Sequence, residues 1–406
     1  LEQTRTGGSA MPQRRKPTLT PDEARQLHQE ALVIDSQQPP ATRGFLFTDK
    51  MRAALDAYVR KGMTREEAAP LLEDMATREI QTSADARKQY LDLWRKSGVT
   101  VACGTYSGSM RVSDAFEASS KRIAQAYAYV DALDGALIPV REAADIERVY
   151  RKSRYGLIFD FQNTTPFGDD LDRINHFYNL GVRMVQLTYN LRNLVGDGCT
   201  EAHQGGLSYF GREVVRRLNE LKMIVDVSHC SEQVGWDSLK VSTAPIVVSH
   251  STSKAVCYHD RGKSDELAKA IADRGGFFGV VVIAGFLADK TEPTLDAFVD
   301  HVEHLVDVIG IDHVGIGTDK AGPGPGTESM VEYPAAMPKR PAGAFNWAGF
   351  RDKEHRLTPE YHMNGFENFG DWPNLTVQLA QRGFNEDELR KLLGLNFLRV
   401  FRDVVG

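Results

Sequence analysis

Two stretches decide the fold: Met223-Ile224-Val225-Asp226-Val227-Ser228-His229 and Pro245-Ile246-Val247-Val248-Ser249-His250. Each is a short run rich in β-branched residues, apolar over most of its length, and each finishes in Ser-His. A strand with one wet face alternates apolar and polar residues. A near-continuous run is the pattern of a strand buried on both faces of a parallel sheet. Six further runs of this kind occupy residues 31–34, 99–103, 156–161, 182–187, 277–282 and 313–316.

The segments between the runs read as helices. Val214, Val215, Leu218 and Leu221 recur at helical spacing over 210–221, as do Leu267 and Ile271 over 265–272. Ser264, followed by Asp265 and Glu266, has the form of an N-cap with acidic residues in the first turn. Eight strands alternating with helices predict a (β/α)8 TIM barrel in one domain over 11–406. The competing architecture is an open doubly wound sheet. No GxGxxG follows any of the runs and no GxxxxGK[ST] occurs, so phosphate-loop motifs do not favour it. Residues 48–80 form a helical, charged insertion after the first strand, and 320–361 a long loop rich in proline and aromatics after the last. A loop of that length is expected to cover the barrel mouth or to make a surface contact.

Composition narrows the class. Of 406 residues, 42% are hydrophobic and 26% charged, which excludes global disorder. A net charge of -6 argues against a nucleic-acid binder held by a basic face. No apolar run approaches the roughly 18 residues of a membrane span. Four cysteines without a CxxC pair make no disulfide framework. Residues 1–10 read as a tag or linker scar, and the stretch from Met11 is not a secretory signal, so a cytoplasmic protein is expected.

Chemistry in such a barrel lies where the strands finish. His229 and His250 end consecutive strands at equivalent places, each after a serine, close enough to share one divalent ion; imidazole suits zinc. Read singly, each is equally a hydrogen-bonded core histidine. Asp319 ends the last strand and is placed to orient or deprotonate a water, or to serve as a turn residue. Arg261 lies near the mouth, as a carboxylate clamp or a surface charge. His301 and His304 fall on a helical stretch and are expected to be solvated. Cys230 reads as a small buried hydrophobe, and Cys103 lacks an obvious base for a nucleophilic role.

Taken in order, Leu207-Ser208-Tyr209-Phe210-Gly211, Val225 to His229, Val247 to Ser251, Arg261 with Lys263-Ser264-Asp265-Glu266, Gly275 to Val280, and Gly315 to Asp319 carry a resemblance. The chain resembles the membrane (renal) dipeptidase family of metal-dependent amidohydrolase barrels, from about residue 31 to the C-terminus. The resemblance implies two zinc ions bridged by a glutamate. His229 and His250 match the histidines of the second zinc, Asp319 the carboxylate that handles the proton of the bridging water, and Arg261 the arginine that holds the substrate's carboxylate. The rest departs from the pattern. Gln37 and Pro39 stand where the family has the His and Asp of the first zinc. Gln162 stands for the bridging glutamate, and Tyr189 for a substrate-site histidine.

These departures predict loss of the first zinc. One ion is expected on His229 and His250, with Asp319 or the Gln162 carbonyl as a further ligand; a site without any ion is the alternative, since two anionic ligands are gone. The expected activity is hydrolysis of an amide bond, in a dipeptide or N-acyl amino acid, with Asp319 as proton carrier. Tyr189 and Gln162 would contact the oxyanion, and Arg261 the substrate carboxylate. The competing reading is a barrel that binds a small carboxylated ligand or catalyses a metal-free isomerisation or elimination. A homodimer acting on a small molecule, with no nucleic-acid or membrane partner, is what the resemblance implies for partners.

Overall fold

The computed structural model describes residues 16–38, 45–108, 110–320, 333–334 and 336–406. Eight parallel strands follow one another around the barrel: β1 (Ile34–Gln38), β2 (Val101–Thr105), β4 (Tyr155–Phe161), β5 (Val182–Gln186), β6 (Ile224–Asp226), β7 (Ile246–Ser251), β8 (Phe277–Val280) and β9 (Val314–Ile316). A ninth, β3 (Leu137–Pro139), pairs with β4 outside the barrel path and has no counterpart in the sequence reading. Each of the eight apolar runs overlaps a barrel strand, and the architecture is the expected (β/α)8 barrel.

The helices behave as their sequences dictate. The helix Asp265–Ala272 is capped by Ser264, whose hydroxyl accepts from the Leu267 N–H. Tyr209–Glu220 buries Val214, Val215 and Leu218 on one face. The insertion after β1 is helical: Asp49–Arg60, Arg65–Thr82 and Ala84–Ser97. The long loop carries no regular helix over 336–361, and residues 321–332 lie outside the described residues. Among the described residues, no helix is long and apolar enough to cross a membrane.

The first strand corrects the sequence reading. It begins at Ile34 and runs through Asp35-Ser36-Gln37-Gln38, which were expected to follow it. All five residues are buried. Asp35 and Ser36 tolerate that burial because they are bonded. Ser36 Oγ donates to the carbonyls of Ser249 (2.6 Å) and Ile316 (3.0 Å). Asp35 accepts from the Thr318 N–H (2.8 Å), the Thr318 hydroxyl (2.5 Å) and Trp372 Nε1 (2.8 Å). Burial pushes the Asp35 carboxyl up to about 7. With the Asp319 N–H donating to the Gln37 carbonyl (2.8 Å), these bonds join the first strand to the last and close the barrel.

The barrel interior changes character along its axis. Ile34, Val101, Ile158, Met184, Ile224, Val247 and Phe277 make an apolar layer, plugged below by Phe397, Val400 and Phe401. One residue pair further along the strands the inward positions turn polar: Asp160, Gln186, Asp226 and Ser249, all buried. Gly317 leaves space there: a Cβ on it would fall 2.2 Å from the Ser249 carbonyl oxygen and 3.1 Å from His250 Cβ.

Candidate metal centre and active site

His229 and His250 meet at the C-terminal mouth with Nε2 atoms 2.9 Å apart. Two nitrogens bound about 2.05 Å from one tetrahedral ion would lie about 3.3 Å apart, so the pair is close to a two-ligand bite. The other ring nitrogens are held by separate partners. His229 Nδ1 is 2.7 Å from Asn190 Oδ1, which can only accept. His250 Nδ1 is 2.8 Å from Ser249 Oγ, whose own hydrogen goes to Asp226 Oδ2 (2.6 Å). Both rings therefore carry their proton on Nδ1 and present a lone pair at Nε2. Two lone pairs facing at this distance repel unless a cation lies between them, and outer partners of this kind fix ligating histidines.

The serine before each histidine has a structural reason. Asp226 accepts from the Ser228 N–H (3.0 Å) and hydroxyl (2.6 Å), and from the Ser249 N–H (3.0 Å) and hydroxyl (2.6 Å). One carboxylate thus ties together the two strand ends that carry the imidazoles. Burial pushes its carboxyl up, against these four bonds. Both imidazoles are pushed well below the ordinary histidine range, first by burial and then by the nearby Arg261 and Lys263 charges. They are neutral, as metal ligation requires.

Arg261 is fully buried beside the pair. Its Nη1 donates to the Ser228 carbonyl (2.6 Å) and its Nη2 to the His250 carbonyl (2.9 Å), while Nε has no partner. Among the described residues no carboxylate is within ion-pairing distance of it. Lys263, also buried, donates from Nζ to the Cys230 carbonyl (2.6 Å). Tyr189 stacks on His229, with ring centroids 4.2 Å apart at 20°. Phe350, from the long loop, meets Tyr189 edge-on at 6.3 Å and lies 6.3 Å from His229. The part of the loop around residue 350 therefore covers the site, as one of the two expectations for it had it. A cavity of about 290 Å³ lies beside Tyr189, walled by Met110, Leu191, Leu194 and Trp347 among others.

The other expected residues separate. Among the described residues no three of His, Cys, Asp and Glu converge well enough to hold an ion, so Asp319 does not complete the histidine pair. Asp319 sits at the mouth in a left-handed conformation (φ 53°), an uncommon one for a non-glycine residue, fixed by its N–H bond to β1. Gln162 is half-buried, and its backbone carbonyl accepts from Gln186 Nε2 (2.5 Å). Gln37 turns to β2, donating to Thr105 Oγ1 (2.8 Å), and its Oε1 has no partner. Pro39 lies outside the described residues. Of the positions that match the family's first zinc, Gln37 and Gln162 carry neutral amides, and the residues present that could hold an ion are His229 and His250.

Four readings of single residues are decided by burial. His301 is fully buried, not solvated: its Nδ1 accepts from the Ser253 N–H, its Nε2 lies 3.1 Å from the Leu287 carbonyl, and burial lowers it to about 4. His304 is partly exposed and faces Asp265. Cys230 packs in the core between barrel and helices. Cys103 lies inside the barrel, where burial and the Asp160, Asp35 and Asp226 carboxylates push its thiol well up, the opposite of an activated nucleophile.

A parallel barrel with paired histidines, a buried arginine and an aspartate at its C-terminal mouth defines a metal-dependent amidohydrolase class. The chain belongs to the membrane dipeptidase family, peptidase family M19, whose model matches residues 22–338 and 358–405. It is 30% identical over 266 residues to dipeptidase tcpJ of Claviceps purpurea (strain 20.1), a match covering 65% of this chain and 54% of that protein. The chain therefore spans little more than half the length of that curated relative. A solved amidohydrolase of Pseudomonas aeruginosa aligns with TM-score 0.71 and 29% identity, over 95% of this chain and 99% of that one. A metallopeptidase of Rhodobacter sphaeroides, liganded with a phosphinate mimic of the dipeptide L-Ala-D-Ala, aligns with TM-score 0.67 over 92% and 99%; at 19% identity it shows the shared fold.

Proposed function

We propose that the protein hydrolyses the amide bond of a small carboxylated substrate, a dipeptide or an N-acyl amino acid, using a single zinc ion held by His229 and His250. The observation that carries this is the 2.9 Å approach of the two Nε2 atoms, with a partner on each Nδ1 that orients its ring. A zinc ion bound there supplies an acidified water and a polarised scissile carbonyl. Arg261 holds the substrate's carboxylate: a buried cation without a carboxylate partner calls for an anion, and Nε is the donor still available. Tyr189 donates to the developing oxyanion, and the Gln162 amide is assigned to assist it. Asp319 takes the proton of the attacking water and returns it to the leaving nitrogen. The apolar wall beside Tyr189 suits a hydrophobic side chain of the substrate. A homodimer is proposed as the working form, on the family resemblance.

One observation favours a second reading. Arg261 and Lys263 put two buried cations beside the histidines, which raises the cost of a dication there. A barrel that binds a small carboxylate without an ion would tolerate them. Activity assays on zinc-loaded protein with dipeptides and N-acyl amino acids separate the two, with Asp319→Ala as the control. Turnover lost in Asp319→Ala with zinc still bound supports the first reading; turnover retained removes Asp319 from it. No turnover of either substrate class, with a small carboxylate still bound after chelator treatment, favours the second.

A further inference from the structure

Asn190 is fully buried at the end of β5 and touches both the centre and its cover. Its Oδ1 faces His229 Nδ1 (2.7 Å) and also accepts from the Cys199 thiol (3.4 Å). Its Nδ2 donates to the Ala348 carbonyl of the long loop (2.6 Å). The same loop stretch brings Phe350 over Tyr189 and His229.

A side-chain amide has two ends of similar shape and opposite hydrogen-bonding sense. What chiefly fixes which end faces His229 is the Ala348 carbonyl on the far side, since the Cys199 thiol is a weak donor at 3.4 Å. With Ala348 docked, Nδ2 points to the loop and Oδ1 to the ring, so the ring keeps its proton on Nδ1. With the loop withdrawn, the amide is free to reverse. Nδ2 then faces Nδ1, which must become the acceptor, and the ring proton moves to Nε2. There it meets the lone pair of His250 Nε2 at 2.9 Å and forms an ordinary hydrogen bond. No proton is gained or lost overall, but the pair of lone pairs is gone.

We propose that Asn190 is a positioning residue that makes the ion-binding form of His229 depend on the docking of the loop around Ala348. This rests on reading His229 and His250 as ion ligands, and the test separates the two claims. Metal-free protein labelled with 15N in its imidazoles reports the His229 tautomer by ring-nitrogen shifts. Zinc affinity is read by chelator competition, and loop docking by amide exchange over 345–350.

In the wild type, His229 is expected as the Nδ1–H tautomer. Phe350→Ala is expected to raise loop exchange, to bring in the Nε2–H tautomer and to weaken zinc binding at least tenfold. Adding Asn190→Asp, whose carboxylate accepts in either orientation, is expected to restore the Nδ1–H tautomer and the affinity while loop exchange stays high. A purely structural role would not be rescued in this way. Raised exchange with an unchanged tautomer, or no restoration in the double variant, overturns the proposal. If Phe350→Ala leaves exchange unchanged, Asn190→Ala carries the test, and a retained Nδ1–H tautomer there overturns it. A wild type that binds no zinc removes the ion reading, while the tautomer result still decides the role of Asn190.

Discussion

Replacing Ser249 with alanine separates the orientation of an imidazole from the integrity of the barrel. Ser249 Oγ donates to Asp226 Oδ2 at 2.6 Å and lies 2.8 Å from His250 Nδ1. Ser228 Oγ donates to the other oxygen of the same carboxylate, also at 2.6 Å, but no histidine ring is among its partners. The two serines are matched in their bond to the carboxylate, while Ser228 Oγ also accepts from the His250 backbone N–H (3.1 Å) and leaves the ring untouched. A hydrogen bond to a carboxylate contributes about 1.5–3 kcal/mol, and in either variant Asp226 keeps three of its four bonds. Both alanine variants are expected to lose about 2 kcal/mol in denaturant unfolding. Only Ser249→Ala strips the acceptor from His250 Nδ1. The ring proton then moves to Nε2, where the His229 lone pair accepts it, and an ion must displace that bond. Loss of such an outer partner costs about 10–100-fold in metal affinity. Zinc competition titrations on both variants are the assay. A 10–100-fold loss in Ser249→Ala with little change in Ser228→Ala is expected. Equal losses in both, or none in Ser249→Ala, would refute the tautomer argument.

Arg261→Met should raise KM at least tenfold for a substrate with a free carboxylate and much less for its amidated analogue; a uniform change would remove the carboxylate role. His301, lowered to about 4 in the folded state against about 6.5 unfolded, contributes stability that is fully present above about 6.5 and lost as pH falls through 4. Between pH 7 and 4 the wild type should therefore lose about 3 kcal/mol more than His301→Gln in urea unfolding, and parallel curves would show that His301 is not held neutral.

The barrel was legible because its signal is local. Burial on both faces writes itself into a run such as Phe277-Phe278-Gly279-Val280 without reference to the rest of the chain. The first strand was displaced for the converse reason. Asp35, Ser36 and Gln37 are buried by partners on β2, β7, β9 and the helix Trp372–Gln381, none of which a local reading supplies. Within the site, the paired Ser-His endings pointed to His229 and His250, while Arg261 was singled out by the family resemblance and read alone was equally a surface charge.

Asp226 and Asp160 were passed over although a signal existed. A lone carboxylate inside an otherwise apolar buried run has to be bonded or neutralised, so each marked a polar layer inside the barrel. Asn190 and Phe350 gave no such sign. Their roles arise where the end of β5 meets a loop more than 150 residues later, a contact that only the folded chain creates. His301 misled because helical spacing shows which residues share a face and not whether that face is buried; here it packs against the carbonyl of Leu287.

The central claim is a single ion at His229 and His250, and zinc content per chain by plasma emission, on protein purified without chelator or immobilised metal, tests it most directly. About one zinc per chain, lost when either histidine is replaced by alanine, is the predicted result. Two per chain would mean that other side chains stand in for the family ligands replaced by Gln37, Pro39 and Gln162. None, with none taken up on adding zinc, would contradict the account.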